Sequence, residues 1–188
     1  MLVLTSLRLL LRDFTLEDWQ DVHAYASRSE VCRFQAWGPN TSEESRAFVE
    51  RVVALTQASP RTGFHLAVVF PPTGRVIGTG GLDIRSQRFR IGEISYIIHP
   101  EYWKRGFATE VAHTLLALGF TTLSLHRMYA TCDPRNLASE RVLQKLGMCY
   151  EGRMRETMFI RDGWRDSVLY SLLEHEWQPE MPGSCASG

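Results

Sequence analysis

The residue types best suited to hold a charged ligand lie in Ile97-Ile98-His99-Pro100-Glu101-Tyr102-Trp103-Lys104-Arg105-Gly106-Phe107-Ala108-Thr109-Glu110. The segment runs from a strand, through a loop with two cations and a lone glycine, into the start of a helix. Amide groups at a helix start lack intrahelical partners and carry the positive end of the dipole, so they suit a phosphate. Gly106 removes a side chain where backbone must come close to a ligand. The GxxxxGK[ST] pattern of a P-loop is absent. On physics alone, an anion site and an ordinary helix cap both remain open. Just upstream, Glu93 sits on a strand otherwise built from Ile91, Ile94 and Ile97. A buried carboxylate there is costly and should hold its proton more tightly than usual; an exposed edge, or pairing with Arg88 or Arg90, is the alternative. His99, beside Pro100, could be a base by type or a plain loop residue.

The cysteines Cys32, Cys132, Cys149 and Cys185 form no CxxC pair, and the six histidines show no close pairing at ligand spacing, so no metal is expected. Twenty-one basic residues balance twenty-one acidic ones, and this neutrality argues against a nucleic-acid or membrane-surface partner. Only two of the basic residues are Lys, and Arg is the better residue for phosphates and carboxylates. The apolar run Leu2–Leu11 is interrupted by Arg8 and is too short to span a bilayer; neither anchor nor signal peptide is expected, and the reading is cytoplasmic. The run Gly74…Gly78-x-Gly80-Gly81 leads into strand rather than helix, so it is no dinucleotide fingerprint.

These residues must be positioned by elements the pattern also predicts. Leu7–Arg12 reads as a first strand. Thr15-x-x-Asp18 and Thr41-x-x-Glu44 start two helices, the first burying Leu16, Trp19, Val22 and His23 or Ala26, the second Phe48, Val49, Val52 and Leu55. Phe64–Phe70, almost continuously apolar, and Val76–Leu82 form a hairpin about Pro71-Pro72-Thr73-Gly74, and Arg90–Ile98 follows as a third strand. After Gly106 the period changes to that of a helix, running to about Thr122. A strand at Arg127–Cys132, a helix from Asn136 to Leu146 stopped by Gly147, and two strands at Arg153–Ile160 and Arg165–Leu173 complete one mixed α/β domain over 7–178. Residues 179–188, rich in Pro, Gly and Ser, are expected to be a disordered tail.

Trp103-Lys104-Arg105-Gly106-Phe107-Ala108 resembles motif A of the GNAT N-acetyltransferases, the Q/R-x-x-G-x-G/A loop, matching at Gly106 and Ala108 with Trp103 in place of the usual Gln or Arg. Asn136-Leu137-Ala138-Ser139, Leu146-Gly147-Met148 and Glu151-Gly152 are similar to the N-x-x-S…L-G-F…E-G signature of the branch containing the ribosomal-protein alanine N-acetyltransferases. Asp162-Gly163-Trp164-Arg165-Asp166 and Leu9–Asp18 fit the same branch. The resemblance implies a single GNAT domain, its mostly antiparallel sheet splayed to admit acetyl-coenzyme A (acetyl-CoA) as co-substrate. It implies that Ile98 and nearby backbone bind pantetheine and polarise the thioester, that Lys104, Arg105, Gly106, Phe107, Ala108 and Thr109 line the diphosphate, and that Asn136 contacts pantetheine.

Acetyl transfer to an amine requires a base to remove the ammonium proton. Glu93 stands where the resemblance puts that base. Ser139 stands where the branch can use serine toward the coenzyme sulfur, the alternative being a helix-start serine bonded to backbone. The tyrosine many members use as acid is replaced here by Leu143, and a glutamate of the last hairpin by Met158; Glu156 serves as second base candidate if strand alternation holds. Tyr96 reads as packing or acceptor wall, and Trp19, Phe34 and Trp37 as acceptor cover or core. The expected activity is acetyl transfer to a protein N-terminus or small-molecule amine by a monomer or homodimer; the alternative is a silent CoA-binding sensor or scaffold.

Overall fold

The computed structural model describes residues 1–161 and 163–180. One eight-stranded sheet is built from β1 (Val3–Thr5), β2 (Leu10–Asp13), β3 (Gly63–Phe70), β4 (Arg75–Ser86), β5 (Ile91–Ile98), β6 (Arg127–Cys132), β7 (Cys149–Ile160) and β8 (Gly163–Leu173), in the spatial order β1-β2-β3-β4-β5-β6-β8-β7. Every pairing is antiparallel except β5 with β6. Helices α1 (Trp19–Ala26), α2 (Ser29–Cys32) and α3 (Ser42–Leu55) belong to one face; α4 (Phe107–Ala117) and α5 (Leu137–Lys145) belong to the other.

Local rules explain most boundaries. The Thr41 hydroxyl accepts from the Glu44 amide while the Glu44 carboxylate accepts from the Thr41 amide, so both orphan donors of α3 are met. α4 presents Val111, Ala112, Leu115 and Leu116 to the sheet with no exposure at all. Burial of that order is worth about 1.5–3 kcal/mol for each large aliphatic side chain. Its last turn relaxes into a π-turn at Leu118–Thr122, so the regular helix stops at Ala117 instead of near Thr122.

Three expectations change. The strand predicted at Leu7–Arg12 is a hairpin: the Ser6 amide donates to the Leu9 carbonyl across a turn, Leu7 points to solvent, and a further strand precedes it. Leu16 and Leu55 lie on exposed helix edges, and Tyr25 and Ser45 take the inward positions. The short helix α2 is added before the loop at 33–40. Of the predicted tail, 181–188 lies outside the described residues, as does Asp162 of the last turn. Among the described residues, no helix is long and apolar enough to cross a membrane.

Candidate active site

β5 and β6 are paired only at Ile91–Arg127, Gly92–Met128 and Glu93–Tyr129. Beyond Glu93, β5 stays with β4 as far as Ile98–Gly78, while Ala130, Thr131 and Cys132 of β6 stay with β8. The two strands therefore diverge, each held by its outer neighbour. The His99 amide donates to the Ile77 carbonyl, and the β4–β5 register is unbroken from Gly78 to Ile84. Peptide groups in an antiparallel ladder alternate in direction. Those of Tyr96 and Ile98 consequently face away from β4, into the opening. An extended ligand can add to such an edge as a strand would.

The Trp103 indole N–H donates to the Ile98 carbonyl at 2.6 Å and ties the following loop to the end of β5. Lys104 and Gly106 both take left-handed backbone conformations, with φ of 61° and 79°. At Gly106 this conformation turns the chain into α4, leaving the first amides of the helix without intrahelical partners. A second brace comes from the first hairpin. Arg8 Nη1 donates to the Arg105 carbonyl at 3.0 Å. Its Nε and Nη2 reach Glu110 Oε2 at 2.8 and 2.7 Å, and its guanidinium lies over the Phe107 ring. Glu110 itself is completely buried and also accepts from the Arg8 amide and the Ser6 hydroxyl. The loop is thus gripped at both ends before any ligand arrives. Sequence reasoning did not find Arg8 and Glu110, whose contact spans 102 positions.

A cavity of about 800 Å³ occupies the opening. Its lining includes His65, Thr79, Glu93, Ser95 and Ile97, which share the α1–α3 face, and Ile94, Tyr96, Ala130, Ser139 and Leu143, which share the α4–α5 face. The cavity passes through the sheet where β5 and β6 part. Phe34, Trp37, Phe48 and Met158 close the first side. Trp19 instead stacks under Arg46 at the edge of the smaller core.

On the α5 side, Asn136 caps the helix by accepting from the Ser139 amide, and its residue also lines the cavity. Tyr96 OH lies 2.9 Å from Ser139 Oγ and donates to the Ser139 carbonyl at 3.2 Å, so a side chain of β5 spans the opening to α5. Burial raises the Tyr96 hydroxyl above its ordinary value, keeping it protonated. Tyr96 is therefore more than packing. Burial likewise pushes the Cys132 thiol up to about 12.

On the other side, Glu93 does not lie unpaired in an apolar strand, as expected. Asp83 lies opposite it on β4, and Arg85, at the register break two residues on, donates to Glu93 Oε2 from Nε at 2.7 Å and approaches from Nη2 at 2.6 Å; Tyr129 OH adds a bond at 3.3 Å. The partner is Arg85, neither Arg88 nor Arg90. Glu156 falls at a bulge, with φ of 53° and its amide donating to Asp166, so alternation fails there; Met158 lines the cavity and Glu156 does not. His99 is a nine-tenths buried cap whose Nδ1 accepts from the Glu101 amide; burial lowers its pKa, and it does not line the cavity. His65, which sequence reasoning passed over as part of an apolar run, does line it. Its alternation with Phe64 and Leu66, and an aspartate on the returning strand, were the available signal.

Residues 8–149 match the family model of the acetyltransferase (GNAT) domain. The chain is 33% identical over 177 residues to the uncharacterized N-acetyltransferase YnaD of Bacillus subtilis (strain 168), covering 93% of this chain and 98% of that protein. It is 28% identical over 170 residues to the spermidine N(1)-acetyltransferase of Escherichia coli (strain K12), covering 90% and 88%. A crystal structure of a GNAT-family acetyltransferase from Bacillus anthracis superposes with a TM-score of 0.83 at 31% identity, covering 93% of this chain and all of that one. The splayed sheet with a strand–loop–helix at its opening defines an acyltransferase fold that takes acetyl-CoA as co-substrate. The chain belongs to the GNAT N-acetyltransferases.

Proposed function

We propose that this enzyme acetylates a primary amine, on a protein N-terminus or a small molecule, by direct attack of the neutral amine on the thioester. The observation that carries this reading is the cavity through the sheet, lined by Glu93 and Ser95 on one face and by Tyr96 and Ser139 on the other; we assign the amine to the first side and the thioester to the second. In the proposal, Ile98 and adjacent backbone hold pantetheine and polarise the thioester carbonyl. Lys104, Arg105, Gly106, Phe107, Ala108 and Thr109 hold the diphosphate, and Asn136 borders the pantetheine. Direct transfer is favoured over an acetyl-cysteine intermediate because Cys132, the thiol that lines the cavity among the described residues, is pushed up to about 12 by burial and so kept from its thiolate form. Glu93, engaged by Arg85, offers the carboxylate wall that meets the incoming ammonium. We place the enzyme in the cytoplasm, as monomer or homodimer, without nucleic acid or membrane.

The buried Leu143 at the position of the family tyrosine favours a second reading, a silent CoA-binding sensor. Calorimetry with acetyl-CoA and thioester turnover against a panel of amines separate the two. Binding with turnover is expected; binding without turnover on any amine supports the sensor, and no binding ends both.

Ser139, whose Oγ lies 2.9 Å from Tyr96 OH, is the proposed donor to the departing sulfur. Proton transfer by a positioned group contributes about 10²–10⁴-fold, but a thiolate leaves readily, so Ser139→Ala should lower kcat by only about 10-fold. Its effect on KM for acetyl-CoA should be small. An unchanged kcat removes Ser139 from the chemistry.

A further inference from the structure

We propose that His65, oriented by Asp83, is the general base that takes the ammonium proton; this rests on the acetyl-transfer reading of the same cavity.

The hairpin of β3 and β4 brings the pair together. His65 lies opposite Gly81, and Asp83 lies opposite Gly63, so both side chains rise from the α1–α3 face two positions apart. His65 Nε2 is 3.3 Å from Asp83 Oδ1, and hydrogen bonding to this imidazole is the foremost cause that holds the Asp83 carboxyl below its ordinary range. Asp83 therefore stays ionised. Its Oδ1 faces Nε2, which leaves Nδ1 as the ring nitrogen turned from the carboxylate.

Nδ1 is open because of what stands beside it. A Cβ on Gly81 would lie 3.3 Å from Nδ1 and 2.5 Å from Ser95 Oγ; glycine leaves that space to the cavity. Among the described residues Nδ1 has no hydrogen-bond partner. The charged groups around it are Asp83 and Arg85 of β4, Glu93 of β5, and Arg51 and Glu44 of α3. Glu93 Oε2 is already engaged by two guanidinium nitrogens and a phenol. Asp83, by contrast, has the imidazole as its nearest partner, with Arg85 Nη2 farther off at 3.9 Å. An imidazole held by a carboxylate on one nitrogen and open on the other is the geometry that general-base catalysis requires.

The balance is simple. The ammonium loses one proton to His65 Nδ1, and the freed lone pair forms the C–N bond at the thioester carbonyl. As the adduct collapses the C–S bond breaks, its electron pair leaves with sulfur, and the second nitrogen proton neutralises the thiolate. The imidazolium, stabilised by Asp83, returns its proton to solvent.

The test compares a strongly basic alkylamine with a weakly basic one, aminoacetonitrile, which is largely neutral at pH 7. His65→Gln should lower kcat/KM for the alkylamine by about 10²-fold or more and for aminoacetonitrile only a few-fold, with acetyl-CoA affinity by calorimetry unchanged. Asp83→Asn should show the same bias at smaller size, which covers the case of a misfolded His65 variant. A merely structural role would slow both amines equally, and that result overturns the proposal. So does the amine-dependent bias appearing in Glu93→Gln and not in His65→Gln. Failure of the wild type to bind acetyl-CoA would sink the acetyl-transfer reading first and this assignment with it.

Discussion

Replacing Gly106 with valine is expected to weaken acetyl-CoA binding about 10- to 100-fold while leaving most of the fold's stability intact. The residue sits at φ of 79°, at the junction between the Trp103-anchored loop and α4. A β-branched residue held there costs about 1–3 kcal/mol. Space is not the obstacle, since a Cβ would meet only Arg8 Nη2 at 3.5 Å, an ordinary contact. The loop can therefore shed the strain by relaxing toward negative φ. In doing so it swings the first amides of α4 away from where a diphosphate would sit. At 1.4 kcal/mol for each factor of ten, the strain corresponds to the predicted range. Calorimetric titration of Gly106→Val with acetyl-CoA reads it directly. Gly106→Ala should lose less, because alanine tolerates positive φ better than valine. Wild-type affinity in the valine variant would mean that the loop's left-handed turn does not matter to the ligand.

Glu110→Ala is expected to be the most damaging single change to stability among the site's supports. The carboxylate has no exposure and gathers donors from the Ser6 hydroxyl, the Arg8 amide, Arg8 Nε and Arg8 Nη2. Removing one partner of a buried pair typically costs about 3–5 kcal/mol. Arg8 is 42% exposed and can recover water for its guanidinium, which trims the loss to about 2–4 kcal/mol. For a chain of this length that is a fall in Tm of roughly 4–16 °C. A functional loss should accompany it. Without Glu110, Arg8 is no longer aimed at the Arg105 carbonyl, so KM for acetyl-CoA should rise more than KM for the amine. Glu110→Gln keeps the shape and one acceptor oxygen and should fall between the two. Melting curves and the two KM values check the prediction; a Tm within about 1 °C of wild type would show that the buried network contributes little.

The sequence by itself determined the parts governed by neighbours along the chain. Thr41-x-x-Glu44 closed its box, Gly147 ended α5 with a positive φ, and Gly106 opened α4 with another, because caps and turns depend on groups within four residues. The change of period after Gly106 and the Asn136…Ser139 start of α5 were legible for the same reason. So was the family, through the joint spacing of the Trp103–Ala108 loop with those later motifs.

Only the tertiary structure decided which side chains share the site. Glu93 reads as a carboxylate in an apolar strand until a break in the β4–β5 register beyond Ile84 lets Arg85 reach it. His65 reads as one polar letter in an apolar run until the β3–β4 register sets Asp83 beside it and Gly81 beneath it. Arg8 and Glu110 meet only because the first hairpin folds back over α4. Alternation predicted Glu156 beside Met158, and a bulge undid it. Pairing between strands depends on register, and a one-residue slip moves every side chain to the opposite face. No local rule fixes that register; it comes from burying one sheet face under α4 and the other under α1 and α3 at the same time.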